Sequence, residues 1–230
     1  DWGQYGDLQQ GNFERSKLWI SRAEQVLVKN ADSRSRSTLK TMRSRHIIET
    51  EEWVTQELDV SMSSDELLAL GMSAVNLRDM TLAESVSDRL HDLVANNPND
   101  VTLKLIDMEI SSLLKFEKGD KKDAIALIME AVAIAESQSP PRGAASPLQP
   151  VHELAGELLL KSGDYEAAAD LYKASLGRMP NRPKAILGAA RSYAGMGEVD
   201  KAKDSYKAFE AIRGWTNTSE VNEAENYIGS

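Results

Sequence analysis

The sequence predicts an all-α chain: a right-handed superhelical solenoid of antiparallel helix pairs, about twelve helices in all. Three features lead there. Gly163, Ala168 and Tyr172 are followed thirty-four residues later by Gly197, Ala202 and Tyr206, and a fixed interval of that size marks a repeat built from one helical hairpin. A Gly-acid pair opens each unit, Gly163-Asp164 and Gly197-Glu198, and the same pair recurs at Gly119-Asp120. Composition agrees, because the 230 residues are 41% hydrophobic and only 6% aromatic, with no long β-branched run. One solenoid over 1–230 fits this better than two globular domains, since each repeat buries its apolar face only against its neighbours.

The elements follow in order. Helices near 2–10 and 12–29 form a first pair, with Trp2, Tyr5 and Leu8 on one helix, a turn at Gly11-Asn12, and Phe13, Leu18, Trp19, Ala23 and Val26 on its partner. A Ser/Arg linker at 31–37 leads to a longer helix near 36–58, on which Leu39, Met42, His46 and Trp53 recur at helical spacing. Ser63-Ser64-Asp65-Glu66 carries a capping signature and starts the next helix. Its partner runs from 79 to 95 and is broken at Asn96-Asn97-Pro98. Helices 99–118 and 120–137 join through Lys118-Gly119-Asp120.

The interval from Gly119 to Gly163 is forty-four residues, and the surplus is the loop 137–150, SQSPPRGAASPLQP, which holds four of the seven prolines. Proline stiffens such a loop toward extended conformations. It reads either as a surface connection or as a segment that folds over the concave groove or docks as a peptide, which keeps Arg142 among the candidates. Helices 150–162, 164–178, 181–196 and 198–213 follow, with Pro180 closing a unit because it cannot continue a helix interior. A capping helix within 217–230 is built on Val221, Ala224, Tyr227 and Ile228. The repeats over 1–136 are thus degenerate, and those over 150–213 are well matched.

The net charge of −9 disfavours nucleic acid and anionic membrane as partners, although Arg34, Arg36, Lys40, Arg43 and Arg45 form a local basic stretch. No segment approaches the roughly 20 apolar residues of a membrane span, so no membrane insertion is expected. The absence of cysteine excludes disulfides and thiolate metal sites and leaves the compartment open, since a cysteine-free chain suits either side of a bacterial membrane. The chain opens at Asp1 without an initiator Met and with a first unit that looks cut in half, which reads as part of a longer parent. A signal peptide there would make the protein periplasmic or exported.

No glycine-rich phosphate cradle, G-x-S-x-G elbow or H-E-x-x-H helix occurs, so no catalytic residues, no cofactor and no enzyme activity are expected. His46 and His91 lie beside apolar helix positions and read as structural. His152 opens a helix after the Pro-rich loop with Glu153 and Glu157 close by, yet one His with two Glu at that spacing is a poor metal set. Lys184 and Arg191 lie seven apart on the first helix of the last complete repeat. If first helices line the concave surface, these cations share a stripe with Glu153 and Glu157, and a mixed-charge groove would favour a polar peptide or a carboxylate ligand. The candidate binding residues are therefore Arg142, His152, Glu153, Glu157, Lys184 and Arg191.

GDYEAAADLYKASLGRMP (163–180) and GEVDKAKDSYKAFEAI (197–212) resemble the tetratricopeptide repeat family. The stretch 147–209 is similar to the C-terminal part of larger bacterial tetratricopeptide-repeat proteins of uncharacterised function, through Pro150, His152, Glu153, Leu154, Gly156 and Glu157, and then Pro180, Asn181, Arg182, Gly188, Ala189, Ala190 and Arg191. Val199 departs from the pattern where the preceding repeat has Tyr165. The resemblance implies the solenoid fold and a scaffold role, and carries over no catalytic residue. The leading functional expectation is a non-catalytic scaffold binding a protein or peptide on its concave face. The alternative is a ligand-binding or regulatory C-terminal portion of a larger bacterial protein whose active or metal site lies upstream.

Overall fold

The computed structural model describes residues 1–29 and 32–230, and among them finds twelve α-helices and no strand. The first three are α1 (Trp2–Gln9), α2 (Phe13–Lys29) and α3 (Ser33–Thr50). Then come the pairs α4 (Ser64–Asn76) and α5 (Met80–Asn96), α6 (Val101–Glu117) and α7 (Lys121–Glu136), α8 (Val151–Ser162) and α9 (Tyr165–Arg178), and α10 (Pro183–Gly195) and α11 (Val199–Arg213). A capping helix, α12 (Ser219–Gly229), ends the chain.

One turn geometry joins all five helix pairs, α1–α2 included. The residue before the second helix's cap takes a positive φ, and the next residue's N–H reaches back five positions to a carbonyl: Asn12 to Asp7, Asp79 to Ala74, Asp120 to Lys115, Asp164 to Leu159 and Glu198 to Tyr193, at 2.7–3.0 Å. This closes the helix C-terminus in the Schellman manner. Glycine fills the left-handed position at Gly11, Gly119, Gly163 and Gly197, whereas Arg78 takes it with φ 61° between α4 and α5. Asp79, Asp100 and Asp164 then cap the next helices through backbone N–H groups three residues on, and Ser63 with Glu66 forms the full capping box expected for α4.

The first helices α4, α6, α8 and α10 stack side by side, with α3 beside α4. Small residues let them approach. A Cβ on Gly188 would stand 2.2 Å from the Tyr172 ring, and one on Gly156 2.9 Å, so both glycines form the slot that ring fills. Ala168 and Ala202 are fully buried at equivalent positions of α9 and α11.

The region before Ser64 departs from the expected hairpin pattern. Of the Ser/Arg linker 31–37, residue 31 lies outside the described residues, and from Ser33 onward the segment is already helical. Asp32 explains this, since its carboxylate accepts from the Ser35 N–H at 2.8 Å and caps α3. At its other end α3 stops at Thr50 rather than near 58, because Glu51 turns left-handed with φ 59°. An extended strap over 51–62 takes the place of the missing second helix. The Val54 N–H donates to Ser73 Oγ of α4 at 3.3 Å, Arg89 of α5 donates to the Val60 carbonyl at 3.1 Å, and Trp53, Leu58 and Met62 pack on the main core.

The N-terminal unit folds back onto the last repeats. Arg213 of α11 donates to the carbonyls of Leu8 and Gln9 at 3.0 Å each, and Lys184 of α10 donates to the Ile48 carbonyl at 2.8 Å. In both cases a cation from a C-terminal repeat donates to carbonyls at the C-terminal end of an N-terminal helix, where its charge also suits the helix dipole. The Pro-rich loop follows the surface-connection reading in part, with Arg142 exposed. It also buries Ala145, Leu148 and Gln149, and lays Gly143 against the Trp2 ring.

Candidate functional site

Closure of the N-terminal unit turns the concave face into a cavity of about 450 Å³. The end of α3 and the strap supply Glu49, Glu51 and Trp53, while α4, α6, α8, α10 and α12 each add side chains. Its apolar wall includes Leu113, Leu154, Tyr172, Leu187 and Phe209.

The charges around it are arranged in layers. Innermost is Arg182, the residue before α10, only 2% exposed. Its Nε and Nη2 hold both oxygens of Glu153 at 2.6 and 2.9 Å, and its Nη1 holds Glu49 Oε1 at 3.0 Å. Ser175 adds a hydroxyl donor to Glu153 at 3.2 Å. Burial would lower the Arg182 pKa, but Glu153 and Glu49 outweigh it and hold the guanidinium well above its usual range. Burial would likewise raise Glu49, and the charges of Arg182, Lys184 and Arg213 overcome it, keeping that carboxyl below the ordinary range. The second oxygen of Glu49 is buried and has no hydrogen-bond partner among the described residues.

Nearer the opening, Lys184 pairs with Glu51 at 2.9 Å and Lys161 with Glu157 at 2.6 Å. Arg191 grips Glu223 of α12 with contacts of 2.6 and 2.9 Å, and Tyr206 donates to the same carboxylate at 2.7 Å. Burial would raise Glu223, yet the Arg191 and Tyr206 hydrogen bonds prevail and its pKa is lowered.

Of the sequence candidates, Glu153, Glu157, Lys184 and Arg191 line this one cavity. They are not a stripe of free charges, since every one is engaged by another side chain of the protein. Arg142 and His152 lie elsewhere. Arg142 is exposed on the loop and lines neither this cavity nor a second one of about 250 Å³ beneath the prolines. His152 faces that second pocket, 3% exposed and 3.4 Å from Glu136. Being the second residue of α8, it points away from Glu153 because adjacent helix positions diverge. Sequence reasoning missed Arg182 as a site residue, together with Glu49, Arg213 and Glu223. Nothing local signals the contact between Arg182 and Glu49, which lie 133 residues apart.

Other polar groups lie outside the cavity lining. The hydroxyl of Ser16 and Nδ1 of His46 meet at 2.9 Å beside buried Gln4, tying α1, α2 and α3 together. His91, Asp107 and Ser111 meet on α5 and α6, but carboxylate and hydroxyl both approach Nε2, at 3.3 and 3.4 Å. A Ser-His-Asp relay needs one partner on each ring nitrogen. Glu109 is fully buried with neither oxygen hydrogen-bonded among the described residues, and burial, with Glu153 nearby, pushes its pKa well up. Among the described residues no group of three or more His, Asp or Glu side chains is arranged to hold a metal ion, and no helix is long and apolar enough to cross a membrane.

Residues 159–208 match the family model of the tetratricopeptide repeat, so the chain carries this repeat in its C-terminal half. Among solved structures, the chain is similar to a mutant form of MamA, with 20% identity over 90% of this chain and 98% of that one, at a TM-score of 0.42. It is also similar to MamA of AMB-1 in a P212121 crystal form, with 19% identity, 94% and 98% coverage and a TM-score of 0.43. No curated protein matches the chain.

Proposed function

We propose that the chain is a non-catalytic helical scaffold that binds a protein or peptide partner on its concave face, through the central cavity. The observation that carries this is convergence: α3, α4, α6, α8, α10 and α12 all direct side chains into one opening. Tetratricopeptide repeats generally act as interaction surfaces, and extended concave faces are what stacked helix pairs generate. The overall charge of −9 supports a protein partner over nucleic acid. The cavity volume also lies in the range of small-molecule sites, which favours, as second reading, a ligand-binding or regulatory portion of a larger protein.

The test is a peptide library selected on the immobilised chain, followed by binding to Asn76→Trp, which places a bulky ring at the cavity wall from the exposed end of α4. Selected peptides should lose affinity for the variant at unchanged helicity. Peptides that bind wild type and Asn76→Trp alike would remove the concave face from recognition.

A further inference from the structure

The local basic stretch of the sequence falls on the α2–α3 pair. Residues 13–50 carry nine Lys and Arg against four Asp and Glu, in a chain whose net charge is −9. Five of those cations are committed: Arg15 to Asp7, Lys17 to Glu14 and Glu52, Lys40 to Glu66, Arg43 to Glu24, and Arg45 to Asp1. Arg22, Lys29, Arg34 and Arg36 are exposed and form no ion pair among the described residues. The local acids are already engaged, since Glu14 and Glu24 are paired, Asp32 caps α3 and Glu49 holds Arg182. Arg22 and Arg34 border a groove of about 300 Å³ between the two helices, floored by Trp19, Ala23, Val26 and Met42. This groove shares no lining residue with the central cavity.

The groove is preformed. The Trp19 indole N–H donates to Asp7 at 2.7 Å, and its ring stands against Gly3, where a Cβ would lie 2.6 Å away. The Arg22 guanidinium lies 5.1 Å over that ring, which positions the head group without neutralising it. On an otherwise acidic protein these cations make a positive island that directs an anionic partner to the groove. The apolar floor is recessed between two helices, which suits an inserted side chain better than the flat surface of a bilayer. We propose that the α2–α3 groove docks an acidic peptide segment of a partner protein, with one aliphatic or aromatic side chain on the floor and neighbouring carboxylates on Arg22 and Arg34. This second docking surface is independent of the concave-face reading above.

The experiment titrates the chain with the acetylated, amidated pentapeptide Glu-Glu-Phe-Glu-Glu and follows the tryptophan indole N–H signals by NMR, assigned with Trp19→Phe and Trp53→Phe. Trp19 lines the groove and Trp53 the central cavity, so the two signals report the two surfaces separately. The Trp19 signal should shift and that of Trp53 should not, with affinity falling at high salt. Glu-Glu-Ser-Glu-Glu, which lacks the apolar anchor, should bind about tenfold more weakly. Arg22→Glu/Arg34→Glu, on exposed positions, should weaken the acidic peptide about tenfold or more and gain binding of Lys-Lys-Phe-Lys-Lys. Lys122→Glu/Lys207→Glu changes the net charge equally at exposed positions outside the groove and should leave binding within about twofold of wild type. Phosphatidylglycerol vesicles should not sediment the chain.

Four results overturn the proposal: no Trp19 shift at millimolar peptide or a shift of Trp53 in its place, equal binding of the Ser and Phe peptides, equal losses in the two charge-reversed variants, or vesicle sedimentation that Arg22→Glu/Arg34→Glu abolishes. The last would assign the groove to an anionic membrane surface. If any of these holds while library peptides still discriminate against Asn76→Trp, only the α2–α3 assignment falls and the concave-face reading stands.

Discussion

The repeats over 151–213 and the unit over 1–62 are held by different physics. In the repeats, each helix packs on its neighbours through buried aliphatic and aromatic side chains such as Leu154, Leu158, Tyr172 and Phe209, with Gly156 and Gly188 opening the slot for Tyr172. The N-terminal unit buries a smaller apolar set, Leu8, Leu39, Met42 and Ile48, together with the polar Gln4, Ser16, Arg45, His46 and Glu49. Helix α2 buries only Ser16 fully, and leaves Leu18 57% and Val26 52% exposed. The unit is fastened to the far end of the chain through Arg182, Lys184 and Arg213. Apolar nearest-neighbour packing makes a regular repeat, while directional long-range hydrogen bonds close that repeat around a cavity.

The largest expected effect comes from cutting the polar fastening. Arg182→Met leaves Glu49 and Glu153 buried without their shared cation, which should cost about 3–5 kcal/mol and lower the thermal midpoint on the order of 10 °C. Combining it with Glu49→Leu and Glu153→Leu should recover much of the loss, because a well-packed apolar substitute often matches a buried ion pair. If Arg182→Met alone were neutral in thermal unfolding, the N-terminal unit would not depend on this contact.

Acid probes the same fastening without mutation. Glu49 is held below its ordinary pKa of 4.5, so its contribution is fully present above that pH and is lost as pH falls through the lower folded-state value. The stability gap between wild type and Glu49→Gln should therefore be constant from pH 7 to about 5 and shrink below about 4.5. A gap that widened in acid would mean that Glu49 is not stabilised as the anion.

In the repeats the sensitive feature is steric. Gly188→Ala places a Cβ 2.2 Å from the Tyr172 ring, and Ala168→Leu forces methylenes into a fully buried contact. Each should cost about 1–3 kcal/mol in denaturant unfolding. Adding Tyr172→Leu to Gly188→Ala should restore part of the loss, and an additive result would show that ring and glycine do not meet.

This contrast also explains what the sequence revealed. The hairpins over 64–213 were legible because their signals are local: a Gly-acid turn, an N-cap three residues before its N–H donor, small residues one repeat apart. The shortening of α3 was not, since Leu39, Met42, His46 and Trp53 keep helical spacing across Thr50, and only the left-handed turn at Glu51 breaks it. At the site, repeat logic brought Glu153, Glu157, Lys184 and Arg191 to one face, but their partners were hidden. Glu51 lies 133 residues from Lys184, and Glu223 lies 32 from Arg191. Counting charges on a helix face therefore suggested free cations where the structure has committed ones.

The smallest effect tests how far the degenerate repeats depart from the regular ones. Arg78 occupies the turn position that glycine holds at 119, 163 and 197, with the same hydrogen bond closing the helix behind it. A left-handed conformation costs a residue with a Cβ roughly 1–2 kcal/mol, and glycine returns some of that through its greater unfolded-state entropy, about 0.5–1 kcal/mol. The exposed Arg78 side chain makes no ion pair among the described residues, so its removal sacrifices little. Arg78→Gly should thus stabilise the protein by about 0.5–1 kcal/mol, and Gly163→Arg should destabilise it by a similar amount. Equal and opposite shifts in urea midpoint would show that the α4–α5 turn is an ordinary member of the series carrying an unfavourable residue. A loss of stability in Arg78→Gly would instead mean that the arginine stem packs to advantage there, and that the degenerate repeats differ from the regular ones in their turns as well as in their packing.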